Sequence, residues 1–349
     1  MKKKNSTVQL RKASLYNKYL KDPKIRKIYL TFRKKLFKRI NNESFCIGVS
    51  GGPDSLALAF LCKVFAKEYN SNFTALIVDH KLRKESGIEA KQVRKILTRN
   101  KIKNRILTWN GKIPNKNIQF NARKIRYSLF LKVCKKLNVE NLVLAHQEGD
   151  LIENFFIRLF RGSGLKGLSS LNEKRKSSNK GISLIRPLIN VGKNELVYIS
   201  KKIFQFYLID PSNFKENFLR TRIRKYLNNF KSDGLDINKV KLTLNNLQIA
   251  NEAIDFYKEK SIKKYTRHLK NSSYLVRCSM FNFESEEVIF RTIGDIITKV
   301  SNNYYPPRGK NLQSLITKIQ SKNFKKSTLG GCIIEKSHNI LILRKEFDS

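Results

Sequence analysis

The stretch FCIGVSGGPDSLAL, residues 45–58, carries the strongest structural signal in the chain. It reads as an apolar strand, a turn built on Ser50, Gly51 and Gly52, and the start of an apolar helix. Such a turn gathers bare backbone N–H groups and a helix N-terminus at one point, which favours an anion such as phosphate. The lysine of the common G-x-x-x-x-G-K-S/T nucleotide loop is missing, and an acid, Asp54, stands in the turn instead. Any α/β protein needs tight strand–helix turns. Two adjacent glycines with flanking serines and an acid are more than a turn requires.

Outward from this turn, strand-like runs alternate with helical periodicity up to about residue 160. FCIGVS (45–50) leads to the helix LALAFLCKVFAKEY, and FTALIVD (73–79) to a helix from Ser86. ILTW (106–109) precedes NARKIRYSLFLKVCKKL, and NLVLAH (141–146) precedes ENFFIRLF, whose Phe155, Phe156, Leu159 and Phe160 read as core. Ser86 and Glu89 read as an S-x-x-E capping box. The βαβαβαβα order with apolar strands predicts an α/β fold, a doubly wound parallel sheet covered by helices on both faces. In such sheets ligands bind beyond the carboxyl ends of the strands. Three strands end in polar residues (Ser50-Gly51-Gly52, Asp79-His80 and His146), and these are expected at one edge.

A basic helical extension (1–44) precedes this region. RPLINVGKNELVYISKKIFQFYLIDPSN (186–213) adds a helix and an exposed turn, and FLRTRIRKYL (218–227) carries Arg220, Arg222 and Arg224. Residues 235–265 read as one long amphipathic helix, and CIIEK–SHN–ILILRKE (332–346) as a β-hairpin. The expected boundary lies near 232, between a domain at 45–232 and a long helix with a small α+β domain at 233–349.

Among 349 residues, 72 Lys and Arg oppose 27 acids, a formal net charge of +45. A globular chain this basic expects a polyanion, nucleic acid before an anionic membrane surface. The five cysteines are scattered with no C-x-x-C pair, which speaks against a disulfide framework, a zinc knuckle or an iron–sulfur cluster. The basic N-terminus lacks an apolar core behind it, and no apolar run reaches the ~18 residues of a membrane span. A cytoplasmic protein that does not enter membranes is expected.

SGGPDS resembles the S-G-G-x-D-S pyrophosphate (PP) loop of the N-type ATP pyrophosphatase superfamily. The resemblance implies an adenine nucleotide α-hydrolase-like fold and cleavage of ATP between its α and β phosphates. Ser50, Gly51, Gly52, Pro53, Asp54 and Ser55 would then hold the departing pyrophosphate, with Asp54 on a Mg²⁺ ion. Further blocks are similar to tRNA(Ile)-lysidine synthetases. VDHKLRKESGIEA (78–90) matches the family's V-D-H-x-L-R block, which assigns Asp79 and His80 to the nucleotide and Arg83 to the substrate. NARKIRY (121–127) matches A-R-x-x-R-Y and offers Arg123 and Arg126, where the plainest structural reading is a solvated basic face. DPSN (210–213) and RTRIR (220–224) match D-x-S-N and R-x-R-I-R.

LAHQEGDLIENFFIRLFRGSG (144–164) looks like A-H-H-x-D-D-x-x-E followed by R-L-x-R-G-S-G. Gln147 replaces the second histidine and Gly149 the first aspartate, while Asp150 keeps the second. Spacing places His146, Asp150 and Glu153 on one helical face. GSGLKG (162–167) matches G-x-G-x-x-G by letter but follows a helix, so the dinucleotide reading fails. YYPPRGKNLQSLITKIQ and STLGGCIIEK resemble the family's C-terminal domain, with Arg308, Lys310 and Lys318 facing a tRNA backbone. A further C-terminal module of longer relatives is expected to be absent.

The resemblance implies ligation of free L-lysine to C2 of the wobble cytidine of the CAU-anticodon isoleucine tRNA, with AMP and pyrophosphate released. It implies ATP and Mg²⁺ as cofactors, His146 and Asp150 beside the amine proton, Glu153, Arg220, Arg222 and Arg224 toward the substrate, and a homodimer as one assembly. Two other readings fit the loop: another PP-loop enzyme, such as a tRNA 2-thiolation enzyme, or a non-catalytic RNA-binding protein for which Gln147 and Gly149 speak.

Overall fold

The computed structural model describes residues 17–82, 85–111, 118–171, 174–176, 181–209, 219–269, 273–303, 306–321 and 323–346. The chain divides into two units, one of residues 1–157, 172–175 and 182–229, the other of 158–171, 176–181 and 230–349. The elements run α1 (Asn17–Leu20), α2 (Pro23–Ile40), β1 (Phe45–Gly48), α3 (Pro53–Glu68), β2 (Phe73–Asp79), α4 (Ser86–Arg99), β3 (Asn104–Thr108), α5 (Ile118–Lys136) and β4 (Asn141–Val143). There follow α6 (Glu148–Leu159), α7 (Leu165–Leu168), β5 (Lys174–Lys176), β6 (Ser183–Ile185), α8 (Lys193–Phe204) and α9 (Leu219–Ser232).

The sheet of the first unit has the order β3-β2-β1-β4-β6-β5, and the pairs β2–β3, β1–β2, β1–β4 and β4–β6 are all parallel. Period-two alternation in β1 explains the two covered faces. Phe45 and Ile47 enter a core with α2, α3, α4 and α8. Gly48 turns to the other face, where a β-carbon would stand 3.0 Å from the Phe130 ring of α5 and 3.2 Å from Leu144. A side chain there would push the crossover helix off the sheet. Helix α3 is apolar on nearly every side and accordingly buried from Ser55 to Cys62. Helix α2 starts where Asp22 accepts the amides of Lys24 and Ile25, with Pro23 preset for the first turn.

The order of winding reverses between the parallel strands β1 and β4: from β1 the connection goes to β2 on one side, and β4 lies on the other. That crevice is the topological switch point, where an open α/β sheet binds ligands. The three polar strand ends anticipated at one edge lie on the adjacent strands β2, β1 and β4.

Local readings differ from the structure at three places. Ser86 does not cap α4: Glu85 stands at the cap, and the Ser86 hydroxyl donates to Asp79 Oδ1 at 2.6 Å. A buried carboxylate is a stronger acceptor than the box geometry offers. His146 precedes α6 rather than sharing its face, because β4 ends at Val143 and the helix starts at Glu148. Leu159 and Phe160 are 45% and 60% exposed, at the point where the helix ends.

The second unit continues with α10 (Ile237–Tyr265), β7 (Thr266–His268), β8 (Tyr274–Arg277), α11 (Met280–Phe283), α12 (Glu286–Ser301), α13 (Gly309–Gln320), β9 (Lys326–Leu329), β10 (Cys332–Ser337) and β11 (Ile340–Lys345). Its antiparallel sheet has the order β7-β8-β11-β10-β9, and β10–β11 is the hairpin anticipated from sequence. Helices α12 and α13 cover it through Ile293, Ile296, Ile297, Leu312 and Leu315. Buried Arg291 ties α12 to α10 by donating to Asn251 and Asp255, and to Glu287 on its own helix. Among the described residues no helix is long and apolar enough to cross a membrane.

Candidate active site

The loop between β1 and α3 is organised by Ser55. Its hydroxyl accepts the amides of Ser50 (3.2 Å) and Gly51 (3.1 Å) and donates to the Gly52 carbonyl at 2.9 Å. The amides expected to be bare therefore converge on one oxygen, and the first-turn amides of Asp54 and Ser55 have no intrahelical acceptor. Gly51 has φ +87°, a left-handed conformation, and a β-carbon there would lie 2.5 Å from Val93 Cγ2. Its carbonyl accepts the Leu208 amide at 2.9 Å, so the chain after α8 fastens the loop. Pro53 opens α3, and its carbonyl accepts Ser200 Oγ at 2.6 Å.

Asp54 projects from the first turn of α3, where Lys193 Nζ donates to both its oxygens at 2.8 Å. Burial raises the Asp54 pKa, Lys193 opposes that, and the nearby charge of Asp150 adds to the rise. Lys193 was not singled out from sequence. It lies 139 residues from Asp54, at the start of a helix where no local pattern marks it.

The β4–α6 segment supplies the facing wall. Gln147 Oε1 accepts the Gly149 amide at 2.6 Å, and the Gln147 amide donates to Asp150 Oδ2 at 3.2 Å. A β-carbon at 149 would stand 3.0 Å from Gln147 Nε2, so the two departures from the family pattern fit each other sterically. Asp150 accepts from Arg220 at 2.9 Å. Glu153, 5% exposed, accepts from Arg220 Nε at 2.7 Å and also from Arg224, which clamps α9 onto α6. Arg222 is exposed on another side of α9 and is not brought to this cluster. Helical geometry forbids i, i+2 and i+4 from sharing one stripe.

His146 lies at the centre of these charges. Burial, followed by the positive charges of Arg186, Arg123 and Arg220, lowers its pKa to about 3 against the opposing pull of Asp150. Its Nδ1 is buried with no hydrogen-bond partner among the described residues. Arg186, 3% exposed at the end of β6, is a second residue missed from sequence, where RPLINV served only as a lead into a helix. His80 behaves alike: burial and then Arg126, 3.3 Å away, lower its pKa to about 4. Asp79 is buried and engaged by the Lys81 amide and Ser86, so it shapes the β2–α4 loop. Arg123 lies over the Tyr127 ring and donates to its hydroxyl at 3.2 Å. Arg83 and the DPSN block lie outside the described residues.

All five cysteines are free, and no group of three or more His, Cys, Asp or Glu is disposed to hold a metal among the described residues. In the second unit Arg308, Lys310 and Lys318 are exposed on or beside α13.

A parallel sheet with a glycine–serine loop and an acid at its switch point defines a PP-loop ATP-binding domain, and the PP-loop domain family matches residues 26–230. The U34-tRNA thiolase NcsA of Methanococcus maripaludis superposes with a TM-score of 0.56 at 19% identity, over 66% of this chain and 79% of that one, a likeness of fold. Relatives named tRNA(Ile)-lysidine synthase are closer in sequence. That of Orientia tsutsugamushi is 34% identical over 88% of this chain and 70% of its own length. That of Wolbachia pipientis wMel is 34% identical over 87% and 71%. The chain belongs to the tRNA(Ile)-lysidine synthase family.

Proposed function

We propose that this chain ligates lysine to C2 of the wobble cytidine of a CAU-anticodon isoleucine tRNA, through an adenylated tRNA intermediate. The observation that carries the reading is Asp54, set with Lys193 at the amide-rich loop and within electrostatic reach of Asp150 and Arg224. A phosphate oxygen is a stronger acceptor than the Ser55 hydroxyl, so the loop amides favour the tail of ATP. Mg²⁺ bound to phosphates asks for only one or two protein carboxylates, and Asp54 fits that demand. Bound there, the ion would neutralise the departing pyrophosphate.

His146 is neutral in the free protein, and it becomes a proton acceptor only when bound substrate offsets the burial and positive charge that lower its pKa. The lysine amine, with a reference pKa of ~10.4, must lose one before it attacks. Anionic substrate groups that offset Arg186, Arg123 and Arg220 raise the basicity of His146 where it is needed. Asp150, held by Arg220, orients the amine. Arg126 and His80 form the opposite rim beside the nucleotide. Residues 45–232 are the catalytic domain and 233–349 a tRNA-binding domain, with Arg308, Lys310 and Lys318 on the backbone. A base in an anticodon loop splays into the crevice at lower cost than a paired one. A homodimer is the assembly proposed.

The test is mass analysis of CAU tRNA after incubation with ATP, Mg²⁺ and lysine, with Asp54→Asn alongside. The tRNA gains a lysine residue with wild type, while Asp54→Asn releases no pyrophosphate yet binds tRNA nearly as well. Sulfur incorporation from a sulfur donor, or no ATP turnover with cognate tRNA, would overturn the reading.

A further inference from the structure

Helix α2 carries eight lysines and arginines and no acid in its 18 residues. Its apolar side is consumed by the core, with Ile25, Phe32 and Leu36 fully buried. Arg33 is neutralised by Glu68 at 2.8 Å. Arg26, Lys27, Lys34 and Lys38 are exposed, and none makes an ion pair with another described residue. At 3.6 residues per turn these four share an arc about 120° wide with Leu30 and Phe37. At the amino end of this arc Lys21, Arg26 and Lys27 line a surface depression of about 470 Å³ with Pro23, Leu30 and Thr31.

The position of the face follows from its attachments. Asp22, the cap of α2, is bound by Tyr198 and Lys202 of α8, whose first residue is the Lys193 that holds Asp54. From Lys193 to Lys202 a helix rises roughly 14 Å. Helix α2 then runs about 27 Å further, and soon after Ile40 the chain enters β1 at the amino edge of the sheet. The basic arc thus leads from near the loop toward the opposite edge of the first unit.

We propose that this face of α2 docks the phosphodiester backbone of the substrate tRNA, away from the reacting base; the inference rests on the tRNA-modifying reading above. Charge complementarity selects the occupant, because unpaired cations in a row suit evenly spaced phosphates and release counterions on binding. An anionic membrane would need an apolar face to insert, and only Leu30 and Phe37, each 42% exposed, remain outside the core. Contacts of this kind set the register of the RNA, and the choice of base is left to the crevice.

The test is the triple variant Lys27→Gln, Lys34→Gln, Lys38→Gln, compared with the matching Arg triple variant, which keeps the charges. Affinity for a CAU tRNA transcript is followed through a salt series, and the rate of lysine incorporation is measured against tRNA concentration. The Gln variant is expected to show a log–log salt slope shallower by about 0.7–0.9 for each lysine that meets a phosphate. Its KM for tRNA rises at unchanged kcat, and the Arg variant behaves as wild type. Unchanged affinity and slope would overturn the proposal, as would a fall in kcat at unchanged KM. Loss of binding to phosphatidylserine vesicles at unchanged tRNA affinity would identify a membrane instead. If wild type binds tRNA but adds no lysine, the reaction assignment fails while the slope still judges the docking face.

Discussion

Replacing Lys193 by Met removes the cation that holds Asp54 and leaves the fold of α8 intact, since Lys193 is 49% exposed. Two unit charges about 3 Å apart attract by roughly 1.4 kcal/mol in water and by about 5–6 kcal/mol at an effective dielectric near 20. With Lys193 half in solvent and Asp54 22% exposed, screening places the loss near the lower figure, about 1–2 kcal/mol. Burial and Asp150 already push the Asp54 pKa upward, so without Lys193 the carboxyl keeps its proton to higher pH. The assay is tRNA-dependent pyrophosphate release across pH. At the acid end the variant should fall five- to thirty-fold below wild type, the equivalent of that energy, and the deficit should narrow as pH rises. An acid limb at the wild-type position in a folded variant would refute the coupling of Lys193 to Asp54.

Glu153→Gln breaks the clamp between α6 and α9. Removing one partner of a buried pair costs 3–5 kcal/mol, and with Arg220 and Arg224 41% and 39% exposed the loss is placed at about 3 kcal/mol in denaturant unfolding. A loss below about 1 kcal/mol would show that the arginines find water as good a partner. His146→Gln tests the lowered histidine pKa through stability. Above the unfolded value near 6.5 both states are neutral and the group contributes nothing. Below it the unfolded chain takes up a proton that folded His146 refuses until about pH 3. Stability therefore drops by up to about 1.4 kcal/mol per pH unit as pH falls from 6.5. The variant should lack that share of the slope between roughly pH 6.5 and 5, and an identical slope would mean that His146 titrates normally.

The alternation of strands and helices was legible because each element declares itself within a few residues. Phe73–Asp79, the helix starting at Ser86, and the hairpin near residue 338 all agree with sequence periodicity. The pyrophosphate loop was legible for the same reason, since strand, glycines and helix start are contiguous. The misreadings at Ser86 and His146 arose where local pattern met a distant partner. Asp79 draws the Ser86 hydroxyl out of a capping box, and the charged crevice, not a helical turn, defines the surroundings of His146.

Local pattern and composition were enough for the parallel sheet, the phosphate-type loop on its first crossover and the expectation of a polyanionic partner from a net charge of +45. These depend on short-range periodicity, turn stereochemistry and composition, none of which requires knowing what folds against what. That Asp54 is held by Lys193, 139 residues away, and that Glu153 is spent on Arg220, 67 residues away, emerges only from the folded chain. A charge takes its protonation and its role from burial and neighbours, and those are fixed only when the strands that carry them come together.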